Sequence, residues 1–177
     1  HNHHVFFYDD NFTADKKWAK ALLSRVAAAP GLWHSWSAQV RTDCARDPEL
    51  LDLMSRTGCS NVYIGFESVN PTTLAEMHKG QTPQDINRAV SAFATAGIDV
   101  HGMFVFGFDS DDKETMDKTV RFAVDSGIFS AQFLILTPLP GSRLYEDFKA
   151  QGRLRISDWS CYDTHHVVHE PAKLSPW

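Results

Sequence analysis

The sequence predicts an α/β fold built on a parallel sheet, and three observations carry that prediction. Five apolar runs recur along the 177 residues, each ending in polar residues: 5–11, 34–41, 61–68, 100–109 and 131–138. Between them lie amphipathic stretches at helical spacing, most of them opened by a capping residue and closed by a glycine. Strands that alternate with helices form βαβ units, and such units build parallel sheets. The polar run ends (Asp-Asp-Asn, Gln-Val-Arg, Glu-Ser, Gly-Phe-Asp and Thr-Pro) then fall at the carboxyl ends of the strands. That is where parallel α/β folds place their ligands.

The elements follow in order. Thr13 is expected to cap a helix over 14–29, with Trp18, Leu22, Leu23 and Val26 on one stripe and Pro30-Gly31 as its stop. Asp47-Pro48-Glu49 combines a cap, a first-turn proline and an early acid, and opens a helix to about Thr57, closed by Gly58. Asn70-Pro71-Thr72 starts a short helix through Met77 to Lys79. Thr82-Pro83 starts another, with Ile86, Val90, Phe93 and Ala94 inward and Gly97 at its end. Asp112 begins a helix carrying Met116, Val120, Phe122 and Val124, closed by Gly127. Pro140-Gly141-Ser142 leads into the last, 144–151, ended by Gly152. Residues 1–152 therefore read as one αβ domain. Residues 153–177 show no period and are expected to run irregularly across its surface, with a short turn near Ser157-Asp158-Trp159.

Composition narrows the function classes. A content of 43% hydrophobic and 22% charged residues is that of an ordinary globular chain. Net charge is −5 with no block of Lys or Arg, which disfavours a nucleic-acid-binding face. No apolar stretch approaches the ~20 residues that span a bilayer, and no secretory signal is visible. Cys44, Cys59 and Cys161 form neither a disulfide framework nor a closely spaced metal motif, so reduced thiols in the cytoplasm are expected. Val5 opens a buried-type strand almost at once, and the chain reads as a piece of a longer protein, cut just before a strand.

Several strand-end residues are candidates for chemistry. Asp9 and Asp10, followed by Asn11, can hold a cation or an ammonium group, or one of them can simply cap a helix. Glu67 closes an otherwise apolar strand and needs a partner there: a ligand hydroxyl or ammonium, or Arg41. Arg41 itself suits a carboxylate, and with Gln39 it flanks Val40. Gly102 and Gly107 in one strand suggest the close approach of a backbone or a flat ligand, or else a bend. Thr137-Pro138 fixes a rigid exit from the last strand. His1, His3 and His4 lie at the chain start, and His78 and Lys79 are expected to face solvent. His165, His166 and His169 resemble a metal cluster but lack a carboxylate or thiolate at fixed spacing, so a solvated or supporting role is expected.

Taken jointly, these segments resemble a known family. Phe-Phe-Tyr-Asp-Asp-Asn-Phe, Asp-Pro-Glu-Leu-Leu-Asp-Leu-Met with Gly-Cys, Val-Tyr-Ile-Gly-Phe-Glu-Ser, Val-Phe-Gly-Phe-Asp and Leu-Thr-Pro-Leu-Pro-Gly-Ser are similar, in this order, to the radical S-adenosylmethionine enzymes. The branch with an upstream cobalamin-binding domain is the most alike, and the tail Asp-Trp-Ser-Cys-Tyr-Asp-Thr-His-His-Val-Val fits it too. The resemblance implies a partial (β/α) barrel whose first strand is missing, the five runs being strands two to six. It implies S-adenosylmethionine and a [4Fe–4S] cluster as cofactors, with cobalamin a further one. The cluster's CxxxCxxC loop is absent here, so its ligands would lie in the upstream part of the same protein. In that family the reduced cluster cleaves the sulfonium, and the resulting 5′-deoxyadenosyl radical takes a substrate hydrogen. An electron donor and a small-molecule substrate are the implied partners.

Carried over by position, Asp9, Asp10 and Asn11 would receive the methionine ammonium, departing from the family's Gly-Gly-Glu. Glu67 and Ser68 would meet the ribose or the methionine carboxylate, with Arg41 a weaker choice for the carboxylate. Val105, Gly107 and Phe108 would pack on adenine, and the backbone at Leu136, Thr137 and Pro138 would complete that pocket. Two other readings of the same residues stand beside this one. One is an ordinary (β/α)-barrel enzyme using Asp10 and Glu67 as acid and base. The other is a non-catalytic α/β binding module, which has no need of Asp, Arg and Glu at strand ends.

Overall fold

The computed structural model describes residues 3–29, 31–77 and 79–175, so His1, Pro30, His78 and Trp177 lie outside the described residues. Five strands form one sheet in the order β1 (His4–Phe7), β2 (Ser35–Val40), β3 (Cys59–Glu67), β4 (Asp99–Phe106) and β5 (Ser130–Ile135). β1 runs parallel to β2 with His4 opposite Ser35, and β2 runs parallel to β3 with Gln39 opposite Tyr63. Parallel neighbours need long crossovers. Here these contain α1 (Lys16–Ala27), α2 (Pro48–Arg56), α3 (Pro71–Glu76), α4 (Pro83–Thr95) and α5 (Lys113–Asp125), and α6 (Arg143–Ala150) follows the last strand. The predicted α/β fold and all five strands are present. β1, β4 and β5 stop before the polar ends of their runs, whereas β2 includes Gln39 and β3 includes Glu67.

Local signals fixed most helix starts. Pro48, Pro71 and Pro83 each open a helix behind a cap from Asp47, Asn70 or Thr82, and Thr82 and Asp85 close a reciprocal capping box. Three expectations need correction. Asp15, not Thr13, caps α1, accepting from the backbone of Lys17 and Trp18 at 2.9 and 3.1 Å. Thr13 is buried, and both its N–H and its hydroxyl are given to Asn11 Oδ1. In α5 the apolar residues divide: Met116 and Phe122 are half-buried, Val120 and Val124 are 46% and 76% exposed, and Thr115 and Thr119 are buried instead. Thr119 can be buried because its hydroxyl donates to the Thr115 carbonyl at 2.8 Å, which satisfies it within the helix. Ala94 of α4 is likewise exposed, and Ala89 takes the inward place. Beyond these, a 3-10 helix (Thr42–Arg46) between β2 and α2 had no sequence signal.

The chain divides into two compact units. In the first (His1–Phe66, Gln81–Met103, Ala123–Gln132) an aromatic group of Phe7, Phe12 and Trp36 fills the space beneath α1, with ring centroids 4.7–5.3 Å apart. Trp36 is fully buried and donates its indole N–H to Thr57 Oγ1 at 3.1 Å. Val62, Ile64 and Phe66 of β3 are buried, whereas the alternate residues Asn61, Tyr63 and Gly65 are only half-buried, the two-residue period of a strand with unequal faces. The second unit (Glu67–Gly80, Phe104–Phe122, Phe133–Trp177) packs Leu74, Phe104, Phe148, Val168 and His169 out of solvent. Its tail is more ordered than its composition suggests. Leu154 and His169 form an antiparallel bridge, and Trp159–Cys161 makes a 3-10 turn capped by Asp158.

Gly102 explains itself within the first unit: a Cβ there would lie 2.9 Å from the fully buried Phe66 ring. Gly102→Ala should lower stability by about 1–3 kcal/mol through overpacking, read as a shift of the urea midpoint with unchanged slope.

Candidate active site

In the first unit the expected ligand residues leave β1 and β2. Asp9 and Asp10 are exposed in the loop after β1. Asn11 is committed to that loop through Thr13, and the next residue, Phe12, donates its N–H to the Gln39 carbonyl at 2.9 Å. Arg41 is exposed and flanks the 3-10 helix after β2. A residue that sequence reasoning missed joins these exits. Gln81 donates to the Phe66 carbonyl at 2.9 Å and accepts from Thr42 Oγ1 at 3.1 Å, so one amide ties the ends of β2 and β3 to the start of α4. A lone glutamine before a capping box carries no signal in sequence. His4, set aside in the sequence, bridges Ser35 and Ser37 at 2.8 Å each, on the half-open side of the sheet. Tyr63 and His101 meet on the same unit with centroids 4.9 Å apart, and His101 Nδ1 pairs with Ser130 Oγ at 2.8 Å.

The second unit holds the more informative residues. Glu67 takes φ +64°, one of two positive-φ residues other than glycine among the described residues. A branched or long side chain in this region costs about 1–3 kcal/mol, and such conformations concentrate at functional sites. Its carboxylate is mostly shielded and pairs with Lys79 Nζ at 2.9 Å, which corrects the expectation that Lys79 faces solvent. Ser68 is 2% exposed and spends its hydroxyl on the Asn70 N–H at 3.0 Å, so it shapes the turn that follows.

The exit of β4 is held from two sides. Gly107 has φ +112°, and its N–H and that of Phe108 both donate to Asp111 Oδ2 at 3.0 Å. The Gly107 carbonyl accepts from His169 Nε2 at 3.1 Å. Asp111 also accepts from Thr73 Oγ1 at 2.9 Å; burial pushes its carboxyl upward, against the pull of these donors. A Cβ on Gly107 would only touch the His169 ring and Leu136, so it is the φ of +112° that calls for glycine here. Val105 and Phe108 beside it are half-buried. At the end of β5 the Leu136 N–H donates to the Phe106 carbonyl at 2.8 Å, Thr137 Oγ1 returns to the Ile135 carbonyl at 3.0 Å, and Pro138 is buried. The backbone N–H of Leu136 is therefore already engaged within the chain. His169, expected to be solvated or supporting, is fully buried. His166 pairs with Asp163 at 3.0 Å, and that imidazole holds the carboxyl at about 2.

The thiols do not suit an iron–sulfur cluster. Cys44 is buried and its thiol is pushed up to about 12, and burial raises that of Cys59 as well. A ligating sulfur has to be a thiolate, which such surroundings oppose. Among the described residues no three or more His, Cys, Asp or Glu side chains are grouped to hold a metal ion.

The model of the "Radical SAM superfamily" matches residues 2–123, well over half of the chain. The chain belongs to this superfamily. It is 37% identical over 169 residues to the bacteriochlorophyllide d C-12(1)-methyltransferase of Chlorobaculum tepidum, covering 95% of this chain and 36% of that protein. It is 37% identical over 160 residues to an uncharacterized methyltransferase of Pyrococcus horikoshii, covering 90% of this chain and 34% of that one. The chain thus spans about a third of the length of these curated relatives. Among solved structures, the radical S-adenosylmethionine methyltransferase TsrM from Kitasatospora setae, with cobalamin and a [4Fe–4S] cluster bound, superposes with a TM-score of 0.74. It is 20% identical and covers 84% of this chain and 30% of its own, a likeness of fold. The open, partial radical SAM (β/α) barrel is therefore the architecture of this chain. Among the described residues no helix is long and apolar enough to cross a membrane.

The strain at Glu67 can be measured apart from its charge. Glu67→Gly and Glu67→Ala both delete the carboxylate, but only glycine accepts φ +64° freely. The glycine variant should be more stable than the alanine variant by about 1 kcal/mol in denaturant melts.

Proposed function

We propose that this chain is the S-adenosylmethionine-binding part of a radical SAM methyltransferase that works with cobalamin. The observation that carries the reading is Glu67: a carboxylate held in a left-handed conformation at the exit of β3, shielded and paired with Lys79. Sulfur chemistry aside, S-adenosylmethionine offers ribose hydroxyls that donate to a carboxylate and a carboxylate that accepts from an ammonium. Glu67 would take the ribose hydroxyls. Lys79 supplies a cation in the same unit for the methionine carboxylate, where sequence alone pointed to Arg41. Val105, Phe108 and Leu136 would lie against adenine, with Thr137 and Pro138 holding the β5 exit. The resemblance leaves the methionine ammonium to Asp9 or Asp10. S-Adenosylmethionine would supply the methyl group as an electrophile, or, when reduced by the cluster, the radical initiator. This chain binds, orients and excludes water.

Methyl transfer is favoured because the relatives reported above are named methyltransferases, and the cobalamin reading is supported by the likeness to TsrM. The cluster loop and the cobalamin domain would be supplied by the rest of the protein, electrons by a separate donor, and the acceptor would be a small molecule. A reducing compartment, the cytosol, suits two buried free thiols.

Two measurements test this. Anaerobic reconstitution of the isolated chain with iron and sulfide should give no stoichiometric cluster absorption; a cluster ligated by Cys44, Cys59 or Cys161 overturns the assignment of its ligands elsewhere. In the full-length protein, Glu67→Gln should weaken S-adenosylmethionine binding about tenfold or more, the worth of one bond to a charged group. Calorimetry reads it, with Cys59→Ala as a folded control. Equal affinity in Glu67→Gln and wild type refutes the role.

A further inference from the structure

We propose that His169 is a positioning residue for the adenine side of that pocket: its Nε2–H holds the Gly107 carbonyl and thereby fixes the exits of β4 and β5. The inference rests on the reading that Val105, Phe108 and Leu136 lie against adenine. A carbonyl oxygen only accepts, so the 3.1 Å contact places the ring proton on Nε2. Nδ1 is then a bare acceptor, and it is buried with no hydrogen-bond partner. Buried polar atoms are rarely left so. The ring thus grips a carbonyl 62 residues away, with the Leu136 backbone a second polar neighbour.

The grip sits where three segments meet. A Cβ on Gly107 would touch His169 Cε1 and Leu136 Cβ, each at 3.4 Å. The Gly107 N–H is taken by Asp111 and its carbonyl by His169, so both peptide groups beside this left-handed residue are anchored. Leu136 is joined to Phe106 by its own N–H. Fixing Gly107 therefore fixes Val105 near the end of β4, Phe108 just beyond it, and Leu136 just beyond β5. The ring in turn is over-determined. Phe148 packs on it with centroids 5.0 Å apart, and Arg153 lies over the Phe148 ring at 4.1 Å. Arg153 also binds the carbonyl of Glu170, the residue after His169, and the Asp109 carboxylate at 2.8 Å. These are the charged groups that face the imidazole. A side chain of equal shape without a donor keeps this packing and loses only the grip, which makes the idea separable from a structural role.

The test uses the full-length protein and S-adenosylhomocysteine as the probe, by calorimetry, with melts to confirm folding. His169→Phe keeps the ring and removes the donor, and should bind about tenfold more weakly. His169→Gln restores an N–H near the Nε2 position and should bind within about threefold of wild type. In wild type the probe should slow amide exchange over 104–108 and 133–138. Wild-type affinity in His169→Phe, or a loss in His169→Gln as large as in His169→Phe, overturns the role of His169. Binding that leaves exchange at those two segments unchanged sinks the adenine placement itself, a different failure. Should His169→Phe not fold, His169→Leu takes its place as the variant without a donor: a tenfold loss that His169→Gln does not share supports the inference, and wild-type affinity overturns it.

Discussion

A parallel strand that ends must find new partners for the peptide groups it leaves behind, because its neighbours' ladders stop at the same level. In this chain side chains take over that duty. Gln81 caps the carbonyl of Phe66 at the end of β3, and Asp111 and His169 take the N–H and the carbonyl of Gly107 beyond β4. After β1, Asn11 folds the loop through Thr13, and Phe12 reaches the Gln39 carbonyl. The loops after β1, β3 and β4 are thus each set by a side chain that reaches back to the backbone. Glu67 with Lys79 and the flanking Val105 and Phe108, proposed above for binding, lie beside these anchors.

The charges of the second unit serve the same end. Asp111 is desolvated, which raises its carboxyl, while two backbone N–H groups and the Thr73 hydroxyl draw it back toward the ionised form. Arg153 holds the Asp109 carboxyl below its ordinary range and packs over Phe148. Burial lowers His169, so the folded state prefers the neutral imidazole. A histidine depressed in this way contributes fully above its unfolded value near 6.5, and that contribution is lost as pH falls below it. The neutral ring with its proton on Nε2 is the form that can hold the Gly107 carbonyl without bringing a charge into the interior.

What was legible in the sequence was local. Asp47, Asn70 and Thr82 cap the helices they were expected to cap, because a cap and a first-turn proline act within one turn. Strand runs were legible for the same reason, and the polar residues at their ends correctly marked the strand exits. Illegible features were those settled by partners distant in sequence. Gln81 reaches back 15 residues to Phe66, and His169 reaches back 62 to Gly107, and neither distance leaves a period. In α5 the valines were a poor guide to the inward face for a related reason: a threonine that satisfies its own hydroxyl within the helix can be the buried residue. Gly107 stood out in the sequence as a glycine in a strand run, but its neighbours His169 and Leu136 lie too far along the chain to be read there.

Glu67 shows how these constraints meet in one residue. Its neighbour Phe66 is fixed by burial of the ring and by Gln81 at the carbonyl, so the chain reaches Glu67 with little freedom left. Ser68, buried just beyond, opens a turn toward Asn70 and the cap of α3. A chain pinned on both sides of one residue leaves that residue to absorb the change of direction, and φ +64° is the result. Glycine meets that demand at lower free energy. A glutamate in its place is stabilised locally only by the Lys79 pair, and a partly exposed ion pair contributes about 0–1 kcal/mol, less than the strain costs. The deficit is what one expects where the carboxylate serves a ligand rather than the fold, and it is the physical basis for placing binding at this strand end.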